Sequence, residues 1–260
     1  MKLSRSALGS KLGIALLGMA FAAPAFADGM PGRAAACCET YNWSGLYGGA
    51  SIGWMAHDFD WAFNPAIAGA PHQAYSLHSS RGVVGVHAGY QHQFGSLVAG
   101  VEVGYTTKGR EAIEQGFGVG AAGDSVVRMK NIFTVGPRLG FAFSNVMAYG
   151  TGGYAQADIR SKDVLHATGA DLQVWNETHH GWFWGGGLEY LVAKNVMLGV
   201  DYKHVDLGTE HHCFQLAAGV GTPTCNHTNT NERDIKGTAD IFAVRLSLKW
   251  GRDDRVVPLK

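Results

Sequence analysis

The sequence predicts an all-β fold, an eight-stranded antiparallel up-and-down transmembrane β-barrel with short periplasmic turns and four long external loops. Three observations support it: apolar residues recur at every second position in eight segments, the connectors alternate between short and long, and the first residues resemble an export signal. A period of two indicates a strand with two opposite faces. Short turns at one end and long loops at the other are typical of outer-membrane barrels.

The N-terminal residues predict export. Basic residues precede an apolar run, and Ala25-Phe26-Ala27 places small residues at a cleavage site. We therefore expect residues 1–27 to be a signal peptide cleaved after Ala27, and residues 28–42 to form a periplasmic segment. After Asp28 no uninterrupted apolar stretch reaches the roughly 18 residues of a membrane helix, so any membrane crossing would use strands.

The composition agrees with a β-protein. Charged residues make up 16% of the chain, and 37 of its 260 residues are glycine, about twice the usual share of ~7%. Glycine at this level favours turns and close strand packing. The formal net charge is zero, which gives no electrostatic basis for binding nucleic acid. We expect one barrel domain over residues 43–250 and a tail over residues 251–260.

The eight predicted strands follow one another from Ser44 to Trp250. In chain order they cover residues 44–55, 81–94, 97–109, 128–143, 146–159, 181–193, 196–207 and 239–250. Tight turns follow the second, fourth and sixth strands, at Gly95-Ser96, Ser144-Asn145 and Lys194-Asn195. Long polar segments follow the first, third, fifth and seventh strands, at roughly residues 57–80, 111–127, 161–180 and 208–238.

The faces of the strands indicate which side meets lipid. The third, fourth, seventh and eighth strands each alternate an apolar face with a face of glycine and occasional charge. Their apolar faces are Ala99, Val101, Val103 and Tyr105; Phe133, Val135, Leu139 and Phe141; Val196, Leu198, Val200 and Tyr202; and Phe242, Val244, Leu246 and Leu248. We expect these faces to meet lipid, and Arg245 and Lys249 to face the lumen. Pro137 removes a hydrogen-bond donor from the fourth strand, which predicts a local bulge.

Four charged residues are predicted to face the lumen at similar depth. Glu102 and Arg138 lie on neighbouring strands, as do Asp201 and Arg245. An eight-stranded barrel is just wide enough for side chains to fill its interior. We therefore expect two acid–base pairs that neutralise each other in a structural plug; a gated ion path is the alternative.

Five blocks of sequence resemble a known family. They are "NWSGLYGGASIGW", "GYQHQFGSLVAGVEVGY", "PRLGFAF", "AYGTGGYA" and "GWFWGGGLEYLVAKNVMLGVDYKHVDLG". In order and spacing these blocks are similar to those of the small porin-like outer-membrane barrels, a family that includes alphaproteobacterial surface antigens and hemin-binding proteins. The resemblance covers residues 42–250. It implies an eight-stranded barrel of OmpA type in the outer membrane, without implying one molecular role.

The family resemblance also predicts a role for the residue at the end of the last strand. Members of the family usually end on an aromatic residue that the barrel-assembly machinery reads. Here Trp250 takes that place, and residues 251–260 follow it. Either the assembly signal is read internally or the tail is an accessory periplasmic segment.

An enzymatic function is not predicted. Some eight-stranded barrels modify lipid A with outward-facing His and Ser residues near the outer rim. His204 and Asp206 share the apolar face at the upper end of the seventh strand, but no serine lies two residues from either of them. We expect His204 to be a membrane-interface residue and the chain to have no catalytic residues.

The histidines are the candidate binding residues. Nine of the twelve fall in the predicted external loops: His57, His72, His78, His166, His179, His180, His211, His212 and His227. Neutral imidazole binds zinc, copper, nickel and haem iron. Because the third and fourth loops flank the sixth and seventh strands, their histidines should emerge close together. The predicted site for haem or a divalent metal comprises His179, His180, His211, His212 and His227; solvated histidines without a ligand are the alternative.

Two of the four cysteines predict a disulfide in the fourth loop. Cys213 and Cys225 lie in one polar segment, and a disulfide between them would shorten the fourth loop and stabilise the fold by about 3 kcal/mol in the chain-entropy model. The letters HHC and CNH also resemble a zinc site, but an oxidising compartment favours the disulfide. Cys37 and Cys38 are adjacent, would bridge each other only with strain, and have no assigned role.

The leading prediction is a non-enzymatic outer-membrane barrel that contributes to envelope integrity and presents four loops outside. A surface receptor for haem or a divalent metal is the first alternative, and a narrow small-solute channel is the second. The expected partners are outer-membrane lipid, lipopolysaccharide and the barrel-assembly machinery, with haem or metal only for the receptor. No cofactor and no nucleic acid are expected.

Overall fold

A computed structural model describes residues 41–63, 74–108, 123–165, 171–212 and 233–251 of the chain. These residues form eight strands: β1 Gly45–Phe63, β2 Ala74–Phe94, β3 Leu97–Lys108, β4 Gly123–Phe143, β5 Val146–Leu165, β6 Asp171–Ala193, β7 Val196–His212 and β8 Arg233–Trp250. No helix in this part of the chain is long and apolar enough to cross a membrane.

The strands close into a barrel. Each strand pairs antiparallel with the next along the chain, and β8 returns to β1, with Leu46 opposite Trp250. The predicted fold class is therefore confirmed. The three tight turns lie where predicted, and Gly95 and Ser144 adopt left-handed conformations in two of them, with φ of 64° and 56°. We call this end of the barrel the turn end and the opposite end the loop end.

The strands continue beyond the residues predicted for them. Parts of all four predicted loops belong to strands, so the prediction of their boundaries is wrong; for example, β1 runs to Phe63 and β2 begins at Ala74. Past the predicted strand ends the outward side chains become polar while backbone pairing continues. The outward apolar alternation that marked the strands in the sequence therefore ends before the strands do.

The outer surface has two zones, of which the first is an apolar belt. The belt comprises residues 45–54, 84–94, 97–105, 133–143, 146–154, 182–192, 196–204 and 242–250. All the large apolar side chains described as exposed lie in it, among them Trp54, Leu139, Leu188 and Leu246. Each range supplies the roughly 9–11 residues that a transmembrane strand needs. The prediction that the alternating apolar faces point outward is confirmed.

The second zone, which we call the extension, lies beyond the belt at the loop end. It comprises residues 55–63, 74–83, 106–108, 123–132, 155–165, 171–181, 205–212 and 233–241. Asp58, His78 and Thr178 are among its outward residues. Its interior is an apolar core of Met55, Phe59, Val83, Val127, Met129, Ile132, Ala155, Ala157, Ile159, Phe183, Val205, Leu207, Ile235, Ala239 and Ile241. The extension is therefore built like a soluble barrel, polar outside and mainly apolar inside, with His57, Arg81, His179 and His212 also buried in it.

Pro137 is accommodated without a bulge, contrary to the prediction. The register between β4 and β5 is the same on both sides of it. The two backbones approach closely beside it, since a Cβ on Gly136 would lie 2.0 Å from the carbonyl oxygen of Gly152. The bulge in this strand pair lies between Met129 and Ile132 instead.

The interior of the barrel is layered from the turn end to the loop end. The first layer is a turn-end cluster of Trp43, Tyr47, Val98, Ala142, Met147, Tyr149, Leu191 and Met197. The extension core is the last layer. On β3 and β4 the buried charged residues Glu102 and Arg138 lie between these two apolar layers.

Candidate functional site

A single carboxylate organises the charged layer. Glu102 on β3 is 5% exposed and accepts two hydrogen bonds from Arg245 on β8, at 2.6 Å from Nη2 and 3.1 Å from Nη1. Arg138 Nη1 on β4 and Lys203 Nζ on β7 lie 3.3 and 3.2 Å from its oxygens. The hydroxyl of Tyr47 on β1 donates to it at 2.9 Å. Side chains from four other strands therefore converge on one residue.

Two further carboxylates balance the remaining positive charge. Glu189 on β6 accepts a hydrogen bond of 2.5 Å from Arg138 Nη2. Asp201 on β7 accepts one of 3.1 Å from Arg245 Nη1 and lies 3.8 Å from Lys203 Nζ. The charge cluster thus comprises Glu102, Arg138, Glu189, Asp201, Lys203 and Arg245. Its three carboxylates and three cations neutralise one another, which a narrow apolar interior requires of buried charge.

Two tyrosines complete the layer. The guanidinium carbon of Arg138 lies 3.7 Å from the ring centroid of Tyr149, and Arg245 donates to the Tyr149 hydroxyl at 2.9 Å. Glycine makes room for both rings: a Cβ on Gly89 would lie 2.5 Å from the Tyr47 hydroxyl, and one on Gly187 would lie 2.9 Å from that of Tyr149. The glycine-rich inner face of the strands is what allows large side chains to fill so narrow a barrel.

The arrangement differs from two separate acid–base pairs. The structure brings all four predicted lumen residues together, but in one network. Arg245 bridges Glu102 and Asp201, and the shortest contact of Arg138 is with Glu189. Glu189, Lys203 and the tyrosines are not among the residues predicted to form these pairs. Glu189 and Lys203 nevertheless carry the same signal as Glu102, a charge that alternates with outward apolar residues.

The turn end of the interior is closed by a residue that precedes β1. Trp43 is fully buried in the turn-end cluster, and its indole N–H donates to the Ser144 carbonyl at 3.3 Å. Gln91 donates to the Trp43 carbonyl, and the Trp43 N–H donates to Gln93, both at 2.8 Å. Residues 41–44 therefore cross the mouth of the barrel with the indole held inside.

The histidines lie mainly on strands. Of the nine predicted in loops, those in the described residues are all on strands of the extension: His57, His78, His179, His180, His211 and His212. His72, His166 and His227 lie outside the described residues. The loop assignment of the described six is thus corrected, because the extension continues the ladder through these polar segments.

The structure divides the predicted ligand site between two faces of the barrel. His179 and His212 are both buried inside, with their Nε2 atoms 2.8 Å apart. His180 and His211 face outward, where Nδ1 of His180 contacts the Tyr154 hydroxyl at 2.5 Å and Nδ1 of His211 contacts Asp234 at 2.7 Å. Neighbours along a strand point to opposite faces, so each HH pair is split.

A bulge sets the direction of His212. The β7–β8 register shifts between Asp206 and Thr209, and Gly208 in this bulge adopts a left-handed φ of 67°. The Gly208 N–H donates to the Asp206 side chain at 2.9 Å. Val205 faces inward before the bulge and His212 faces inward after it, although the two residues differ by an odd number.

Burial also affects the charge of His179. Removal from water, with a smaller contribution from the neighbouring His180, lowers the pKa of His179 to about 4. His179 is therefore neutral at physiological pH. Among the residues that the structure describes, no three His, Cys, Asp or Glu side chains are grouped to hold a metal ion.

His204 and a short serine motif are the two features that could suggest catalysis, and the structure gives each a different explanation. His204 contacts Asp240 rather than Asp206, at 2.8 Å from Nδ1, and lies between Trp182 and Trp184 with ring centroids 6.0 and 5.8 Å away. Residues 49–53 match the pattern G-x-S-x-G, but they lie within β1. A nucleophile elbow is instead a sharp turn from a strand into a helix.

Several predicted features lie outside the described residues. They are the signal peptide, the proposed Cys213 to Cys225 disulfide, Cys37 and Cys38, and the tail after Gly251. Trp250, the predicted assembly signal, is the last residue of β8 and is exposed on the belt.

Residues 13–249 match the sequence model of the outer membrane protein beta-barrel domain family. The chain belongs to this family. As an outer membrane β-barrel protein it resides in the outer membrane, where the short turns of such barrels face the periplasm and the long loops face outside. The turn end is therefore periplasmic, and the extension projects from the cell surface.

Relatives of this outer membrane β-barrel protein include named surface proteins. The 31 kDa outer-membrane immunogenic proteins of Brucella melitensis biotype 1 and Brucella suis biovar 1 are each 31% identical over 186 residues, which is 67% of this chain and 75% of theirs. Among solved structures, OprG from Pseudomonas aeruginosa aligns with a TM-score of 0.49 at 12% identity, covering 83% of this chain and 100% of OprG. Ail of Yersinia pestis aligns with a TM-score of 0.38 at 13% identity, covering 78% of this chain and 99% of Ail.

Proposed function

We propose that the protein is a non-enzymatic structural barrel that contributes to the integrity of the outer membrane and presents its extension and loops at the cell surface. The observation that carries this proposal is the filled interior. Two apolar layers and a neutral charge cluster between them occupy the space through which a solute would pass.

The charge cluster supports a closed interior over a channel. Arg138 and Arg245 are 2% and 1% exposed; Arg138 contacts two carboxylates and Arg245 three. Separating one of them from its partners would leave an uncompensated buried charge, which costs several kcal/mol. A solute path would also have to displace Trp43 at the periplasmic mouth. The narrow-channel alternative therefore has little support.

The extension supports a role at the surface. It carries the barrel wall past the membrane with a core of its own, so the external loops start above the headgroup region rather than at it. The immunogenic character named for the Brucella relatives fits such a projecting surface. Lipopolysaccharide around the belt and extension, and the barrel-assembly machinery acting on Trp250, are the partners that this role implies.

The receptor alternative has less support in its original form. It required five histidines to converge outside, whereas two of the described four face the interior and two the outer wall. Among the described members of the predicted set, His179 and His212 contact each other.

Planar-bilayer recording on the refolded full-length protein tests the proposal. We expect no large, stable conductance from the parent. The double variant Glu102→Ala with Arg245→Ala empties the centre of the cluster and should raise conductance if the cluster is the barrier. The matched control is Glu177→Ala, which removes the carboxylate of an exposed side chain in the extension. Sustained conductance by the parent would contradict a closed interior.

A further inference from the structure

We propose that His179 and His212 form a two-coordinate site for a monovalent d10 metal ion, copper(I), inside the extension. The inference goes beyond the structural role and does not depend on it, because an ion held in the extension need not pass through the barrel.

The two imidazoles face each other end to end. Their Nε2 atoms are 2.8 Å apart and their ring centroids 5.0 Å apart. Each Nε2 lies one ring radius from the centroid of its own imidazole. The two centroids are farther apart than the two nitrogens by about two such radii, so both nitrogens lie near the line that joins the centroids. The Nε2 lone-pair directions of His179 and His212 therefore lie close to one line, as a linear two-coordinate ion requires.

The pair can take up a metal ion without releasing a proton. At 2.8 Å one ring donates its Nε2–H to the Nε2 of the other. When the shared proton moves to the Nδ1 of its own ring, both rings carry their proton on Nδ1, two Nε2 lone pairs converge, and a cation can bind between them. Metal–imidazole bonds of roughly 2.0 Å each would separate the nitrogens to about 4 Å. Each ring then moves by only about half an ångström.

The surroundings select a singly charged ion with few ligands. His179 is 0% and His212 2% exposed, and the strand partner of His179 is the core residue Ala157. No third His, Cys, Asp or Glu joins them among the described residues. Zinc sites use four ligands, and calcium and magnesium require oxygen ligands. Imidazole suits copper, and a single charge costs less than a double charge to bury.

The backbone places the site near the cell surface. The bulge at Gly208 turns His212 inward, and His212 is the last residue of β7 at the loop end. The pair therefore lies at the outer end of β7, while β5 and β6 continue beyond it to Leu165 and Asp171. Without the bulge, the outward neighbour His211 would occupy the inner face instead.

The test uses the full-length chain refolded in detergent with all four cysteines replaced by serine, because thiolates also bind copper(I). Titration with copper(I) under a reductant, in competition with a chromophoric copper(I) chelator, should show one ion per barrel. X-ray absorption should show two nitrogen neighbours. His179→Gln and His212→Gln should each weaken binding by at least about tenfold.

The matched controls are His180→Gln and His211→Gln, which change the sequence neighbours that face outward; both should bind as the parent does. Heat-dependent gel mobility reports whether each variant is folded. If a variant of the inner pair does not fold, the X-ray absorption spectrum of the parent decides alone. The proposal is overturned if the cysteine-free parent binds no copper(I), if the inner variants bind as tightly as the parent, or if the bound ion has more than two ligands.

Discussion

Arg245 on β8 donates two hydrogen bonds to Glu102 on β3, at 2.6 and 3.1 Å, although these strands are not neighbours in the barrel. The pair therefore crosses the interior and ties two separate parts of the wall together. Because Lys203 and Arg138 share the same carboxylate, its loss affects three cations at once.

Glu102→Gln should lower the free energy of unfolding by roughly 3–5 kcal/mol, because Arg245 and Lys203 lose a buried counter-charge. Urea unfolding in lipid vesicles measures this loss. Glu177→Gln makes the same change on an exposed side chain and should cost less than about 0.5 kcal/mol. A loss for Glu102→Gln as small as that of the control would show that the cluster does not depend on this carboxylate.

Trp43→Ala should destabilise the barrel by about 3–5 kcal/mol, because it leaves a cavity in the turn-end cluster. Trp184→Ala is the control, since its ring is 51% exposed on the belt and its removal leaves no internal cavity. The same unfolding measurement should give a clearly smaller loss for Trp184→Ala. Equal losses would contradict the assignment of Trp43 as an internal plug.

The boundary between belt and extension can be located on one strand. Leu188→Arg places a charge at the middle of the β6 belt segment and should cost about 2–4 kcal/mol. Thr178→Arg, outward on the same strand but in the extension, should change stability by less than about 1 kcal/mol. Comparable costs at the two positions would mean that lipid reaches further along β6 than the belt.

Gly208→Val should destabilise the barrel by about 1–3 kcal/mol, because a β-branched residue is strained at the left-handed φ of 67°. Thr209→Val tests the adjacent exposed position, where one β-branched residue replaces another, and should have little effect. Unfolding curves for the two variants measure the difference in stability. If Gly208→Val were as stable as Thr209→Val, the bulge would not require this conformation.

The pair of His78 and Asp58 should show a measurable pH dependence. The hydrogen bond to Asp58 and its negative charge raise the pKa of His78 above its ordinary value. The raised pKa means that the pair stabilises the extension fully below about pH 6.5 and loses this contribution as pH rises through the raised value. An NMR titration of the His78 ring should give a lower pKa in Asp58→Asn than in the parent; an unchanged pKa would show that the pair does not form.

The charge cluster could be predicted in part from the sequence. Glu102 and Arg138 were recognisable because each is a charge on an otherwise small inner face, and Glu189 and Lys203 follow the same rule. The partner of each cation could not be predicted, because it depends on how the barrel curves. Arg245 reaches across the interior to Glu102 as well as to the adjacent strand, and no spacing in the sequence encodes that reach.

The limits of the sequence-based prediction are clearest at the histidines. The strands were expected to end where outward apolar residues end, so His179 and His212 were assigned to loops. A period of two extended from Val205 would also have placed His211 inside and His212 outside. The bulge at Gly208 reverses this order, and only its backbone geometry reveals the reversal.

The exchange of faces between belt and extension also bears on the fidelity of insertion. A slip of one residue turns every side chain of a strand to the opposite face. In β8 such a slip would move Arg245 into lipid and Ile235 and Ile241 into water at the same moment. A strand confined to the membrane would suffer only the first of these errors. In the long strands a shifted register is therefore unfavourable both in the membrane and in water. This double penalty favours a single register when the chain inserts.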